Sequence, residues 1–358
     1  MTTTTISVYI LGGSGYGGGE LLRLLSQHPQ VESIRAVSRK YADQPFWKVH
    51  PNLRSLVDGN FEAQPDWSAF AESDNPIVFS AMPHFELAQQ LAGLEADWSK
   101  HKLSDRLTLI DLSGDFRLDD AEAFERAYGK PHPYPQALGS FVYGLPEWQT
   151  EKIKGARRIA SPGCFATAIQ LALLPLAGLK DLGFIAVSAT TGSSGAGATP
   201  TETTHHPTRA NDFRAYKVLN HQHEAEVTRL LDAEKTNGYS LAFVPHSAPL
   251  VRGIFATVQL HPPTAIGLNA KSLRKKCMDF YRDAPFVRLV EDTPRVAAVV
   301  GSNFCDLAVH EKDGNVVLMA ALDNLVKGMA GQAVQNMNIA QGFDEAVGLL
   351  NSVGAYPV

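Results

Sequence analysis

Residues 12–19 of this chain read GGSGYGGG, set between an apolar run, Ile6–Leu11 (ISVYIL), and a leucine-rich helical stretch, ELLRLLSQHP. No other feature restricts the fold so strongly. Glycines allow a tight turn and let backbone N–H groups approach a pyrophosphate, which then sits at the positive end of the following helix. Gly13-x-Gly15-x-x-Gly18 fits the dinucleotide fingerprint, and Gly12-x-x-Gly15-x-x-Gly18 fits a close variant. Ser14, Tyr16 and Gly17 complete the turn. A lone glycine motif is weak, but here a strand precedes it, a helix follows it, and the unit opens the chain.

Further apolar runs follow at Val31–Val37, Ile77–Ser80 and Leu107–Leu112, with helical patterns such as FELAQQLAGLEADW between them. Strands alternating with helices predict an α/β domain with a doubly wound, Rossmann-type parallel sheet. The texture changes near residue 155. FATAIQLALLPLAGL reads as an apolar helix, and FIAVSATT, YSLAFVP, GIFATVQL, FCDLAVHE and VVLMAAL read as strands. A run of strands with few helices predicts a second α+β domain on a mostly antiparallel sheet. A length of 358 residues suits two cores. The expected division is 1–160 for the nucleotide domain and 161–324 for a catalytic, substrate-binding and oligomerisation domain, with a helix over 325–345 docking back on the first.

An NAD site would place an acidic residue at the end of the second strand. This chain has Ser38-Arg39-Lys40 there. A hydroxyl and two cations suit a 2′-phosphate, so NADP is the expected cofactor. The net charge of -5 argues against general affinity for nucleic acid or anionic membrane. No run approaches about 20 continuous apolar residues, and the start has no signal-peptide pattern. Three cysteines, Cys164, Cys277 and Cys305, form no C-x-x-C pair, which fits a cytoplasmic protein with reduced thiols.

SPGC places Cys164 between a strand and a helix, where the helix dipole stabilises a thiolate. Taken alone, the residue fits a nucleophile and a small buried side chain equally. A nucleophile needs a proton carrier. Of the 12 histidines, His205, His206, His221 and His223 cluster, and Glu226 in HQHEAE is spaced to orient an imidazole. No H-E-x-x-H helix is present, so no metal is expected. Cys277 and Cys305 read as structural.

Together these pieces resemble the N-acetyl-γ-glutamyl-phosphate reductases of arginine biosynthesis, relatives of aspartate-semialdehyde dehydrogenase. The resemblance runs over almost the whole chain, through LGGSGYGGGELLRLL, SRKYA, HPNLRS, AMPH, DLSGDFRL, VYGLPE, SPGCFATA, GSSGAG, AYKVLNHQHEAEV, PHSAPLVRGI and DNLVKGMAGQAVQNMN. It implies a reductase that turns an acyl phosphate into a semialdehyde through a cysteine thioester. Cys164 is then the nucleophile and His221 the acid/base, with His223 and Glu226 in support. The glycine loop, Ser38 and Arg39 hold NADP, Pro83 and His84 line the cofactor crevice, and Ser193, Gly195 and Asn324 lie near the nicotinamide. Arg117, Arg209, Arg214 and Arg252 are candidates for gripping a substrate carboxylate or phosphate. A homodimer or homotetramer is implied.

The chain departs from the family's usual G-A-S-G-Y-T-G at Gly13 and Gly17, and from H-R-H at Gln222. THHPTRANDFRAYK looks like a branch that reduces an aminoadipyl or glutamyl phosphate held on a small acidic carrier protein, whereas PHSAPLVRGI looks like the free-substrate enzymes. Competing readings are a non-catalytic NADP-binding regulator, a hydroxy-acid dehydrogenase without a covalent step, and a reductase of aspartyl phosphate.

Overall fold

The computed structural model describes residues 5–263 and 269–350. These fall into two compact units, one built from the chain up to Pro162 together with the segment from Met329 onward, the other from Gly163–Gly328.

In the first unit β1 (Ile6–Leu11) is buried along its whole length, as expected of a strand covered on both faces. It pairs in parallel with β2 (Val31–Val37) on one side and β3 (Pro76–Ser80) on the other. β4 (Thr108–Asp111), β5 (Val142–Tyr143) and β6 (Arg158–Ala160) complete a six-stranded parallel sheet in the order β2-β1-β3-β4-β6-β5. This is the doubly wound sheet that the alternation of strands and helices predicts. The reversal of strand order beside β1 brings the loops after β1 and β3 together, where ligands of such sheets bind. Helix α1 (Tyr16–Leu25) follows the glycine loop. Helix α2 (Glu86–Lys100) and a core of Tyr9, Trp67, Phe70, Leu91 and Trp98 cover one face. β6 is the strand expected before SPGC, whereas β5 goes beyond the sequence expectation, because two residues are too few to show a period.

The second unit carries a seven-stranded mixed sheet, in the order β11-β12-β13-β10-β7-β9-β8. Its strands are β7 (Lys180–Thr191), β8 (Arg214–Ala215), β9 (Asn237–Ser247), β10 (Ile254–Leu260), β11 (Val287–Leu289), β12 (Cys305–Lys312) and β13 (Asn315–Leu322). β7 with β9 and β11 with β12 are parallel, and the remaining pairings are antiparallel. Helix α3 (Cys164–Leu173) packs on β10 and β13 and against α4 (His223–Ala233). Every α3 residue after Cys164 is buried, which accounts for its apolar circumference.

After β13 the chain makes a π-helical turn, Val326–Ala330, and enters α5 (Gly331–Ala340). α5 packs on α1 and β4 of the first unit. It is buried all round, although it carries Gln332, Gln335, Asn336 and Asn338. Two of these amides tie down backbone: Asn336 donates to Gly144 O at 2.8 Å, and Asn338 donates to Val347 O at 2.9 Å.

Candidate functional site

The glycine loop leaves β1 at Gly12, whose φ of +81° favours glycine and where a Cβ would lie 2.7 Å from Ala81 O. A Cβ on Gly18 would meet Gly13 O at 2.5 Å, so the third glycine lets α1 close onto the loop. At Gly15 the nearest atom to such a Cβ is 3.7 Å away. The first and third glycines serve packing, and the second leaves backbone N–H groups open to a ligand. This fits a dinucleotide pyrophosphate. Tyr16 beside it is exposed. Ser38, at the end of β2, is buried and donates to Ser14 Oγ at 2.9 Å, tying the second strand to the loop. Arg39 and Lys40 are exposed next to it.

The two departures in the loop have physical counterparts. A Cβ at Gly13 would lie 2.8 Å from Ala36 Cβ, and one at Gly17 would lie 2.9 Å from Met329 Sδ. Neighbours occupy the space that Ala and Thr side chains would need.

Pro83 and His84 lie exposed in the loop after β3. His84 Nδ1 accepts from Gly114 N at 2.8 Å, which places the ring proton on Nε2. Asp115 holds the same loop by accepting from Phe85 N at 2.7 Å and Ala88 N at 3.0 Å. Arg117 is different from the other candidate cations. It is buried, and it donates to Ser161 O at 2.7 Å and Leu112 O at 2.9 Å. Its guanidinium ties together the ends of neighbouring strand loops.

In the second unit Cys164 is the first residue of α3 and half-buried, with Gly163 as the extended residue before it. α4 shapes this turn. Glu226, buried at 1% exposure, accepts from Gly163 N at 2.9 Å. The His223 ring lies over Gly163, where a Cβ would come 2.5 Å from Cδ2 and 2.6 Å from Cε1. His223 Nε2 is 4.0 Å from Glu226 Oε1. On the other side, a Cβ at Gly328 would lie 2.7 Å from Cys164 Cβ.

His221 packs edge-on against Phe165, Phe243 and His223. Its Nδ1 accepts from His223 N at 3.2 Å, so the neutral ring carries its proton on Nε2. Burial first, and then the Lys217 charge, pull its pKa down to about 3. Its surroundings thus favour the neutral ring. Tyr216 lies 5.9 Å from the His221 ring, and burial followed by the Cys164 charge pushes its phenol up.

Arg209 and Arg214 lie close enough for the second to lower the pKa of the first, after burial. Arg209 donates to Ser247 Oγ and to Ala248 O, while its buried Nε has no hydrogen-bond partner among the described residues. Arg214 pairs with Asp212 at 3.0 Å. Arg252 pairs with the buried Asp323 at 3.2 Å. Asn324 accepts from Gly253 N at 2.7 Å and donates to Ser194 Oγ at 2.9 Å. It thereby fixes the short helical loop that bears Ser193 and the exposed Gly195. Cys277 and Cys305 are buried. No group of three or more His, Cys, Asp or Glu among the described residues is arranged to hold a metal ion.

Sequence reasoning did not single out Tyr216, Gly328 or Asp323. All three stand inside recognisable segments, AYKVLNHQH and DNLVKGM, but only folding brings them to Cys164 and Arg252.

Two family models match this chain: the NAD binding domain of semialdehyde dehydrogenase over residues 7–156, and its dimerisation domain over residues 164–324. An N-acetyl-gamma-glutamyl-phosphate reductase of Methanopyrus kandleri is 42% identical, over 96% of this chain and 98% of its own. A LysW-L-2-aminoadipate 6-phosphate reductase of Deinococcus radiodurans is also 42% identical, over 100% of both. Among solved structures, aspartate semialdehyde dehydrogenase II of Vibrio cholerae shares the fold with a TM-score of 0.64 at 17% identity, over 94% of this chain and 98% of its own. The chain is an enzyme of the semialdehyde dehydrogenase family, grouped with its N-acetyl-γ-glutamyl-phosphate and LysW-linked phosphate reductases.

Proposed function

We propose that this protein reduces N-acetyl-γ-glutamyl phosphate to N-acetylglutamate semialdehyde and phosphate, using NADPH, through a thioester on Cys164. The carrying observation is the turn around Cys164: a half-buried thiol at a helix N-terminus, with the His223 ring over Gly163 and Gly328 behind it. The helix dipole favours its thiolate. The Cys164 thiolate attacks the acyl carbon and phosphate leaves with the bonding pair. The reduced nicotinamide, when bound, supplies the hydride that turns the thioester into an aldehyde. His221, neutral and protonated on Nε2, acts as a hydrogen-bond donor to the developing oxyanion rather than as the base. That role falls to His223, next to Glu226, which takes the thiol proton at the start. Arg209 and Arg214, side by side, and Arg252, held by Asp323, serve as the anion grip.

NADP is preferred to NAD because Ser38, Arg39 and Lys40 stand where an acidic ribose ligand would otherwise be. A working thiol needs reducing conditions, which fits the cytoplasm. Self-association as a homodimer or homotetramer is supported by the match to a dimerisation domain and by the second sheet's open face, where Phe184 is 60% exposed.

A second reading, an aminoadipyl or glutamyl phosphate on a small acidic carrier protein, is favoured by the end-to-end match to the Deinococcus radiodurans reductase and by exposed Phe213 and Lys217 beside the arginine pair. The reaction run backwards decides. Enzyme, phosphate and NADP are mixed with either N-acetylglutamate semialdehyde or the carrier-linked semialdehyde, and reduced nicotinamide is followed by absorbance. The expected result is a phosphate-dependent rise with the acetylated substrate that Cys164→Ala abolishes while NADP binding persists. A rise only with the carrier-linked substrate establishes the second reading, and a rise that survives Cys164→Ala refutes the thioester.

A further inference from the structure

We propose that Asp323 is a positioning residue that aims Arg252 at the substrate while it shapes the turn behind Cys164. This rests on the functional reading above. Asp323 directly follows β13 and is fully buried. One carboxylate oxygen, Oδ1, accepts from Leu325 N at 2.7 Å and Val326 N at 3.0 Å, and so starts the π-helical turn. The other, Oδ2, accepts from Gly301 N at 2.7 Å and from Arg252 Nη1 at 3.2 Å. Its backbone carbonyl accepts from Gly328 N at 2.9 Å, which sets Gly328 against Cys164 Cβ.

A buried carboxylate needs partners on both oxygens. Here three are backbone amides that cannot leave, and the fourth is a guanidinium with 27% of its side chain still exposed. Asp323 thus holds a cation partly open to solvent in one place. The neighbouring Asn324 fixes Gly253 N, so the backbone under Arg252 is held from the same corner. A positive group that must find a substrate anion is most effective when its orientation is set before binding.

Asp323→Asn separates the two tasks. The amide oxygen can still accept from Leu325 N and Val326 N, so the turn persists. The amide NH2 then faces Gly301 N–H and the Arg252 guanidinium, donor against donor, and the bond that orients Arg252 from this side is lost. In the reverse assay with the semialdehyde, KM for the semialdehyde should rise about tenfold, the loss of one charge-assisted contact. KM for NADP and the rate at which iodoacetamide alkylates Cys164 should stay within about twofold. Arg252→Gln should give the same rise, and the double variant no further one, because both remove one coupled contact. Arg252→Lys should recover part of the loss. Unfolding midpoints of all variants separate a collapsed fold from a misaimed cation, and Arg252→Gln leaves Asp323 its three amides if Asp323→Asn proves unstable. Effects of the two single variants that multiply in the double overturn the proposal, as does an unchanged semialdehyde KM in a folded, active Asp323→Asn. A wild-type chain inactive on both semialdehydes refutes the functional reading and takes this inference with it.

Discussion

Gly163→Ala tests the geometry of the nucleophile turn most directly. Gly163 has φ -68° and ψ 148°, which any residue adopts, so the substitution carries no backbone strain. Its whole effect is steric. The added methyl would lie 2.5 Å from Cδ2 and 2.6 Å from Cε1 of His223, and closer still to Nε2, where ordinary contact starts at 3.4 Å. Ring and turn must therefore part by about 1 Å. The ring has little freedom to retreat, with His221 at 4.6 Å and Phe165 at 6.2 Å between centroids. Overpacking of this kind costs about 1–3 kcal/mol, a fall in Tm of a few degrees for a unit of this size. A displacement of about 1 Å at the reacting group lowers kcat about a hundredfold. Initial rates in the reverse direction and a thermal melt read both effects. NADP affinity should not change, because the added methyl meets only the His223 ring and none of the residues assigned to the cofactor. Gly163→Ala/His223→Ala should regain the lost Tm, since the ring is gone, but not the activity. A Gly163→Ala protein with wild-type Tm and kcat would refute the placement of His223 over the turn.

Two further outcomes follow from charge. His221 has a folded pKa of about 3 against an ordinary 6.5, lowered by burial and then by Lys217. Between these values the unfolded chain binds a proton that the folded chain does not, so the contribution of His221 is fully present above about 6.5 and is lost as pH falls toward about 3. Urea midpoints at pH 7.5 and 4.5 should converge in His221→Gln, and an unaltered difference counts against a buried neutral ring. At the cofactor end, Arg39→Ala should raise KM for NADP about tenfold and leave KM for NAD nearly unchanged. Equal effects on both cofactors would remove Arg39 from the 2′-phosphate.

What the sequence made legible was local. A continuous apolar strand, a glycine turn and a leucine face each declare themselves within a dozen residues, and the sheet around β1 follows from them. β5 was hidden because Val142–Tyr143 is shorter than any period. The resemblance implied that His223 and Glu226 support Cys164, but the contacts of the turn itself were hidden for another reason. His223 lies about 60 residues downstream and Gly328 more than twice as far, and sequence separation carries no distance information. Arg117 shows the opposite limit. It stands in a segment, DLSGDFRL, that resembles the family's closely, and two of its bonds go to the backbone at Ser161 O and Leu112 O. A cation in a recognisable motif is as suited to neutralising backbone carbonyls as to gripping a substrate, and the sequence pattern does not separate the two.

The glycine loop makes the same point from within a motif. Gly13 and Gly17 both replace a larger residue of the family pattern, and both look equally dispensable in sequence. Their surroundings are unequal. A Cβ at Gly17 would press on Met329 Sδ, near the end of a long flexible side chain that can turn away. A Cβ at Gly13 would press on Ala36 Cβ and, at 3.1 Å, on the Phe61 ring. Ala36 has no rotamer to change and sits in β2, paired with Ile10 of β1. Phe61 is itself wedged against Phe46 at 4.9 Å. Gly17 is therefore an exchange with one neighbour, whereas Gly13 is bound up with a strand and an aromatic pair, and a return to alanine there requires β2 to move.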